Sequence, residues 1–269
     1  MDSPRNPRIV AARQLHNARG RRAAGAFLAE GVHAVLAALD AGFTVREAFV
    51  TDPAAAREPE LMRGLARAGV TIHTVGERAM RAVGETTTPQ GVVAVVELPD
   101  PPPLLPDSPR LAVVLHDCAD PGNAGTVIRT GDAAGAAVVA LGARSVDVWS
   151  GKSVRASAGS VFNLPLVVGR QTDSLVDELR DAGCQILATA ADGDADLDEL
   201  IDSGDLVSPT AWLFGSEAHG LPRELLDRAD RVARIPIHGR AESLNLAAAA
   251  AICLYASAHA QRFAGGPRL

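Results

Sequence analysis

Short apolar runs punctuate the second half of the chain at residues 111–115, 137–141, 164–168, 185–190, 211–214 and 232–237, with polar or helix-length segments between them. Runs of this length, apolar throughout rather than alternating, predict strands buried on both faces. Their regular alternation with helices predicts a parallel α/β sheet. The first hundred residues carry a second, smaller pattern. Helical periodicity at 31–41 and 54–68 alternates with strand candidates at 45–51, 71–75 and 92–98, which predicts a small α/β domain.

Between the two patterns lies Leu98-Pro99-Asp100-Pro101-Pro102-Pro103-Leu104-Leu105-Pro106-Asp107-Ser108-Pro109. This stretch can neither propagate a helix nor donate to a central strand, so it reads as a stiff, extended linker. The expected organisation is an N-terminal domain over 1–99, a linker over 100–109 and a larger domain over 110–269. A chain of 269 residues is long enough for each part to have its own core.

Three patches carry the chemistry, and each follows a predicted strand of the larger domain. Together they place reactive groups at the carboxyl edge of a parallel sheet, where such folds bind ligands. The first is Asp120-Pro121-Gly122-Asn123-Ala124-Gly125, with Arg129 beyond it. Pro-Gly makes a turn and Asn123 caps the following helix, whose free N–H groups favour an anion. Arg129 offers a planar fork for a phosphate or a ribose hydroxyl. The second patch is Gly215-Ser216-Glu217-Ala218-His219-Gly220-Leu221-Pro222. Its glycines permit close backbone approach to a ligand, Glu217 places a carboxylate in the loop, and Pro222 begins another helix. The third runs from Ile235-Pro236-Ile237 to Ser243-Leu244-Asn245, with Ser243 capping a helix that is apolar on nearly every face and is therefore expected to be buried, in the core or across a dimer interface.

Charge and cysteine content narrow the class. The net charge is −6, which weighs mildly against a nucleic-acid partner. The N-terminal thirty residues nevertheless hold Arg5, Arg8, Arg13, Arg19, Arg21 and Arg22 against Asp2 and Glu30 alone, a local surplus of the kind that neutralises phosphates. Lys152, the single lysine of the chain, and Arg155 form a second basic loop. Cys118, Cys184 and Cys253 are odd in number, far apart and without a C-x-x-C pair, which supports neither a disulfide framework nor a structural zinc site and fits a reducing cytoplasm. No signal-peptide core or membrane-length apolar run is present. Two other motifs are incomplete. Ser150-Gly151-Lys152-Ser153 has Val146 where a phosphate loop needs its first glycine, and the acidic run from Asp192 to Asp198 has Leu197 where a calcium loop needs glycine.

The order of the patches resembles the SpoU/TrmH-like branch of the SPOUT RNA methyltransferases. Residues 120–129 look like the family's first motif, 150–159 its basic loop, 213–221 its second motif and 235–245 its third. The N-terminal residues Phe27-Leu28-Ala29-Glu30-Gly31 and Thr88-Pro89-Gln90-Gly91-Val92 are similar to the family's substrate-binding domain, itself like ribosomal RNA-binding proteins. The resemblance implies a deep trefoil knot in the C-terminal domain and a homodimer in which one subunit's Arg129 reaches the site completed by its partner. It implies S-adenosylmethionine held through Gly215, Gly220, Ile235 and Leu244, and catalysis by Asn123, Arg129, Glu217, Ser243 and Asn245 without a metal. The implied product is a ribose 2′-O-methyl group on structured RNA, ribosomal RNA ahead of transfer RNA, in the cytoplasm, with no DNA or membrane partner. RNA contacts fall to Arg8, Arg13, Arg21, Arg22, Lys152 and Arg155. The competing class is a non-catalytic RNA-binding protein on the same scaffold.

Overall fold

The computed structural model describes residues 1–100 and 103–263; two linker prolines, Pro101 and Pro102, and the end of the predicted larger domain from 264 onward lie outside the described residues. It divides into two compact units, one built from residues 1–100 with Asp147–Asn163 and the other from 103–146 with 164–263.

The first unit contains a four-stranded mixed sheet made of β1 (Ala26–Glu30), β2 (Val45–Val50), β3 (Thr71–Thr74) and β4 (Val92–Glu97), in the order β1-β4-β2-β3. Strand β4 is antiparallel to both β1 and β2, whereas β2 and β3 run parallel. The sequence pattern missed β1, because its apolar part is only the four residues Ala26–Ala29, ended by Glu30 and placed next to an arginine-rich helix. The predicted helix over 54–68 is two helices, Asp52–Arg57 and Pro59–Arg67, broken where Pro59 disfavours helical geometry at Glu58.

Asp147–Asn163 packs in this first unit rather than with the domain its chain position suggested. The reason lies in its aromatic residues. Trp149 stands 4.8 Å from Phe27 between ring centroids, and Phe162 lies 6.0 Å from Phe27 and 5.1 Å from Phe43. Arg21 fixes the start of the segment. Its guanidinium donates twice to Asp147 Oδ2, at 2.9 and 2.7 Å, and once to the Leu15 carbonyl at 2.8 Å.

That arrangement corrects the reading of the basic residues. Arg21 is buried, with 4% exposure, and is not available to phosphate. Arg155 is half-buried and donates to Glu30 and Glu85 at 3.1 and 3.3 Å. Arg8 is exposed but paired with Glu47 at 3.1 Å. Arg13, Arg22 and Lys152 are exposed on the surface.

The second unit holds a seven-stranded sheet: β5 (Leu111–Leu115), β6 (Val138–Gly142), β7 (Leu166–Arg170), β8 (Gln185–Thr189), β9 (Ala195–Asp196), β10 (Thr210–Phe214) and β11 (Arg231–Arg234). The order is β7-β6-β5-β10-β8-β11-β9, and every neighbouring pair is parallel. Strands β5, β6 and β10 are buried along their whole length, as continuous apolar runs require when helices cover both faces. Strand β11 stops at Arg234, three residues short of the prediction; Pro236 lacks the N–H that a longer strand would need.

The late strand β10 enters between β5 and β8. Its register sets Phe214 beside Leu115 and Leu213 beside Ala188, while Ala233 of β11 pairs with Thr189 of β8. The carboxyl ends of β5, β10, β8 and β11 therefore share one edge, and the three motif loops all leave from it.

The Leu246–Phe263 helix is buried on one side only within the single chain. One side packs on the Pro121–Ala134 helix and on the sheet, where Trp212 Nε1 donates to the buried Ser257 hydroxyl at 2.9 Å. The other side carries Ala248, Ile252 and Tyr255 in one exposed stripe, with Tyr255 54% exposed. Among the described residues no helix is long and apolar enough to cross a membrane.

The Arg21–Asp147 pair generates a stability prediction. Arg21→Ala leaves Asp147 without its cation and should lower the unfolding free energy by about 2–3 kcal/mol, at or below the lower end for a broken buried pair because Asp147 is partly exposed. Arg13→Ala, on the open surface, should change it by less than about 0.5 kcal/mol. Urea unfolding of both variants is the check, and equal values would contradict the structural role of Arg21.

Candidate active site

The first motif forms a helix one turn earlier than Asn123 suggested. Asp120 is the cap, accepting from the Asn123 N–H at 2.9 Å, and Pro121 occupies the first helical position, where its missing N–H does no harm. Asn123 thus sits within the first turn, and its side chain is released from capping.

That side chain meets the second motif. Asn123 Nδ2 donates to Glu217 Oε1 at 2.9 Å, while the Ala119 and Asp120 backbone N–H groups donate to the same carboxylate at 3.2 and 3.4 Å. Burial alone would push the Glu217 pKa up; these donors outweigh it and hold the carboxyl below its ordinary value. Glu217 is therefore an anion that ties its own loop to the segment before the Pro121–Ala134 helix. Sequence reasoning missed Cys118, whose buried Sγ lies 3.7 Å from Glu217 Oε1. Burial, then the Glu217 charge, pushes this thiol up to about 12, so it is a neutral thiol at physiological pH.

The third motif joins through Asn245. Its Nδ2 donates to Asn123 Oδ1 at 3.0 Å, and its Oδ1 accepts from the Ala247 and Ala248 N–H groups at 2.9 and 3.3 Å. Asn245, rather than Ser243, caps the Leu246–Phe263 helix. Ser243 instead lines a cavity.

That cavity, of about 310 Å³, lies at the carboxyl edge of the second sheet. Gly215, Gly220, Ile235 and Leu244 all line it, as do Glu217, Glu242 and Ser243. Its apolar lining includes Phe214, Ala233 and Leu246. The glycines have distinct duties. Ser216 and Gly220 exchange two backbone hydrogen bonds, at 3.0 and 2.9 Å, across a tight loop. A Cβ on Gly215 would lie 2.2 Å from the Gly220 carbonyl carbon, so any side chain there forces the loop open. Gly220 has φ +66°, in the left-handed region that glycine adopts without strain. The short Arg223–Leu226 helix begins after Pro222, which is its cap and not its first residue.

Arg129 stands apart from this cavity. It lies on an exposed face of the Pro121–Ala134 helix, and its side chain has no hydrogen-bond or ion-pair partner among the described residues. The basic-loop residues Lys152 and Arg155 belong to the first unit. Among the described residues, no group of three or more His, Cys, Asp or Glu side chains could hold a metal ion.

Comparison with known proteins gives two matches along the chain. Residues 110–255 match the SpoU rRNA Methylase family, and residues 6–94 match the MRM3-like substrate binding domain. The 23S rRNA (guanosine(2553)-2′-O)-methyltransferase RlmP of Bacillus subtilis is 36% identical over 95% of this chain and 97% of its own length. The 23S rRNA (uridine(2479)-2′-O)-methyltransferase of Streptomyces viridochromogenes is 33% identical over 93% of this chain and 88% of its own. Among solved structures, the AdoMet-bound rRNA methyltransferase from Sinorhizobium meliloti superposes with a TM-score of 0.82 at 33% identity, covering 96% of this chain and 97% of that one.

The Glu217 donors predict a particular acid response. Because the folded pKa is depressed, the stabilisation is fully present above the unfolded value of about 4.3 and is lost as pH falls through the lower folded value. Wild type should therefore be more stable than Glu217→Gln at pH 7, and the gap should shrink as pH is lowered from about 5 to 3. Urea unfolding across that range measures it; a pH-independent gap would contradict the assignment.

Proposed function

The chain belongs to the SpoU rRNA Methylase family, and from that premise we propose that it methylates a ribose 2′-hydroxyl of ribosomal RNA using S-adenosylmethionine. One observation carries the reading: three loops far apart in sequence converge, through Glu217, Asn123 and Asn245, beside a cavity lined by Gly215, Ile235 and Leu244. The residues suit the cofactor. The cavity volume falls at the lower end of small-ligand sites. Its apolar residues can receive an adenine, and the glycine loop leaves backbone groups open to the ligand. Bound there, S-adenosylmethionine supplies an electrophilic methyl group on a cationic sulfur.

The protein's own residues then align the nucleophile. Asn123 and Asn245 are locked in single orientations by their hydrogen bonds, which keeps the edge of the site preorganised. Arg129 presents a planar fork of donors that is free to bind the ribose oxygen or a neighbouring phosphate. Ser243 adds a hydroxyl on the cavity wall. The support for ribosomal RNA is the named activity of the relatives together with the substrate-domain match at residues 6–94.

The assembly we propose is a homodimer in the cytoplasm, with a knotted second unit. Two features support the dimer: an uncovered Ala248–Ile252–Tyr255 stripe and an Arg129 outside its own cavity. Exposed Arg13 and Arg22 remain as phosphate contacts, with Arg8 after release from Glu47. Light scattering at micromolar concentration should give twice the chain mass, and a monomer there would contradict the assembly.

Arg129→Ala should fold and bind cofactor yet transfer methyl at least ~100-fold more slowly, the low end of what a positioned proton-transfer or hydrogen-bonding group contributes. With labelled cofactor and ribosomal RNA, wild-type product should survive alkali as a labelled dinucleotide, since alkaline cleavage needs a free 2′-hydroxyl. Label released as mononucleotide would place the methyl on a base and refute ribose chemistry. Unimpaired transfer by Arg129→Ala would remove that residue from the mechanism.

A further inference from the structure

Among the described residues, the charged side chains lining the cavity are Glu217 and Glu242, and no Lys, Arg or His lines it. The two carboxylates differ in their commitments. Glu217 is held by the Asn123 amide and two backbone N–H groups. Glu242 is exposed and makes no hydrogen bond or ion pair with any described residue. Its loop also carries His238 and Arg240, neither of which lines the cavity. An uncommitted negative charge beside a ligand cavity acts on the net charge of what enters.

We propose that Glu242 makes the cavity charge-selective, favouring the cationic methyl donor over its neutral product and so promoting product exchange. The inference rests on the cofactor assignment above. In the transfer, the ribose oxygen forms a bond to the methyl carbon as the sulfur–methyl bond breaks. That bond's electron pair stays on sulfur, and the hydroxyl proton leaves to solvent. S-adenosylmethionine carries one net positive charge, from sulfonium and ammonium against one carboxylate. S-adenosylhomocysteine has lost the sulfonium and carries none. Attraction to Glu242 therefore falls in the chemical step itself, while apolar contacts to the adenosine are unchanged.

Glu242 is exposed, so its attraction is weak and screened. For unit charges several ångströms apart near water, it corresponds to about a three- to tenfold preference. It also fades as salt shortens the Debye length below about 10 Å.

Calorimetry on the full-length protein tests this with S-adenosylmethionine, S-adenosylhomocysteine and sinefungin, an unreactive analogue with an amine at the sulfonium position. Glu242→Gln should bind the first and third about three- to tenfold more weakly and S-adenosylhomocysteine as wild type does. The salt dependence of the cation preference should flatten with it. Glu242→Asp, which keeps the charge, should retain most of the preference. Matching circular dichroism spectra and melting curves establish that each variant folds. If Glu242→Gln shifts all three ligands alike, or none, the charge-selectivity proposal is overturned while the cofactor assignment stands. If wild type binds none of the three, both are overturned.

Discussion

A carboxylate that gives up part of its water needs donors in its place, and the donors that Glu217 finds tie together the motif loops of the second unit. Glu217 is supplied by the Ala119 and Asp120 amides and by Asn123, groups nearly a hundred positions earlier in the chain. Those donors exist in the right place only because β10 pairs with β5 in a register that sets Phe214 beside Leu115. Slippage by one residue would carry the Glu217 loop away from the amides and break all three of these charge-assisted hydrogen bonds at once. The loop's glycines serve the same end. Gly215 admits the backbone of Gly220 at a distance no Cβ would allow, which turns Glu217 back toward the first motif.

The hydrogen bonds beyond Glu217 run in one direction. Helix N–H groups at Ala247 and Ala248 point at Asn245 Oδ1; Asn245 Nδ2 points at Asn123 Oδ1; Asn123 Nδ2 points at the carboxylate. Each donor is polarised by the next acceptor, an arrangement in which successive bonds reinforce one another. Its positive end is the N-terminus of an eighteen-residue helix and its negative end is Glu217, so the helix dipole favours the same orientation. Neither asparagine can flip without setting N–H against N–H. The helix is pinned further along by Trp212 and Ser257, which fixes the distance between the third motif and the sheet edge.

Much of this was legible in sequence. The six apolar runs of the larger domain became β5, β6, β7, β8, β10 and β11, because a strand buried on both faces has few ways to be written. The two-residue β9 carries no such signal. Within the site, the residue types were legible but not their caps: Asp120 displaced Asn123, and Asn245 displaced Ser243. Three or four good capping residues within a few positions compete on nearly equal terms, and tertiary hydrogen bonds decide between them. Asn123 is needed by Glu217, so Asp120 caps. Arg21 shows the opposite limit. Its neighbours announce a basic surface, yet the partner that buries it, Asp147, lies 126 positions away, beyond the reach of any local pattern.

The same separation of duties bears on substrate choice. A 2′-hydroxyl is common to all four ribonucleotides, so a site that aligns ribose against a methyl donor has no need to read the base. Relatives of nearly equal similarity to this chain, 36% and 33% identical, are named for guanosine and for uridine respectively. On the proposed chemistry, selection of the nucleotide must then come from how RNA is delivered to the site. In a chain of net charge −6, delivery depends on local rather than overall charge. Arg13 and Arg22 lie exposed and without ion-pair partners among the described residues, while Arg21 between them in sequence is committed to Asp147. On the proposed reading these two arginines meet phosphates, and contacts to phosphate set register without reading sequence. Base identity would then follow from which nucleotide the register of a folded RNA presents, and the reactive residues can stay the same while the target changes.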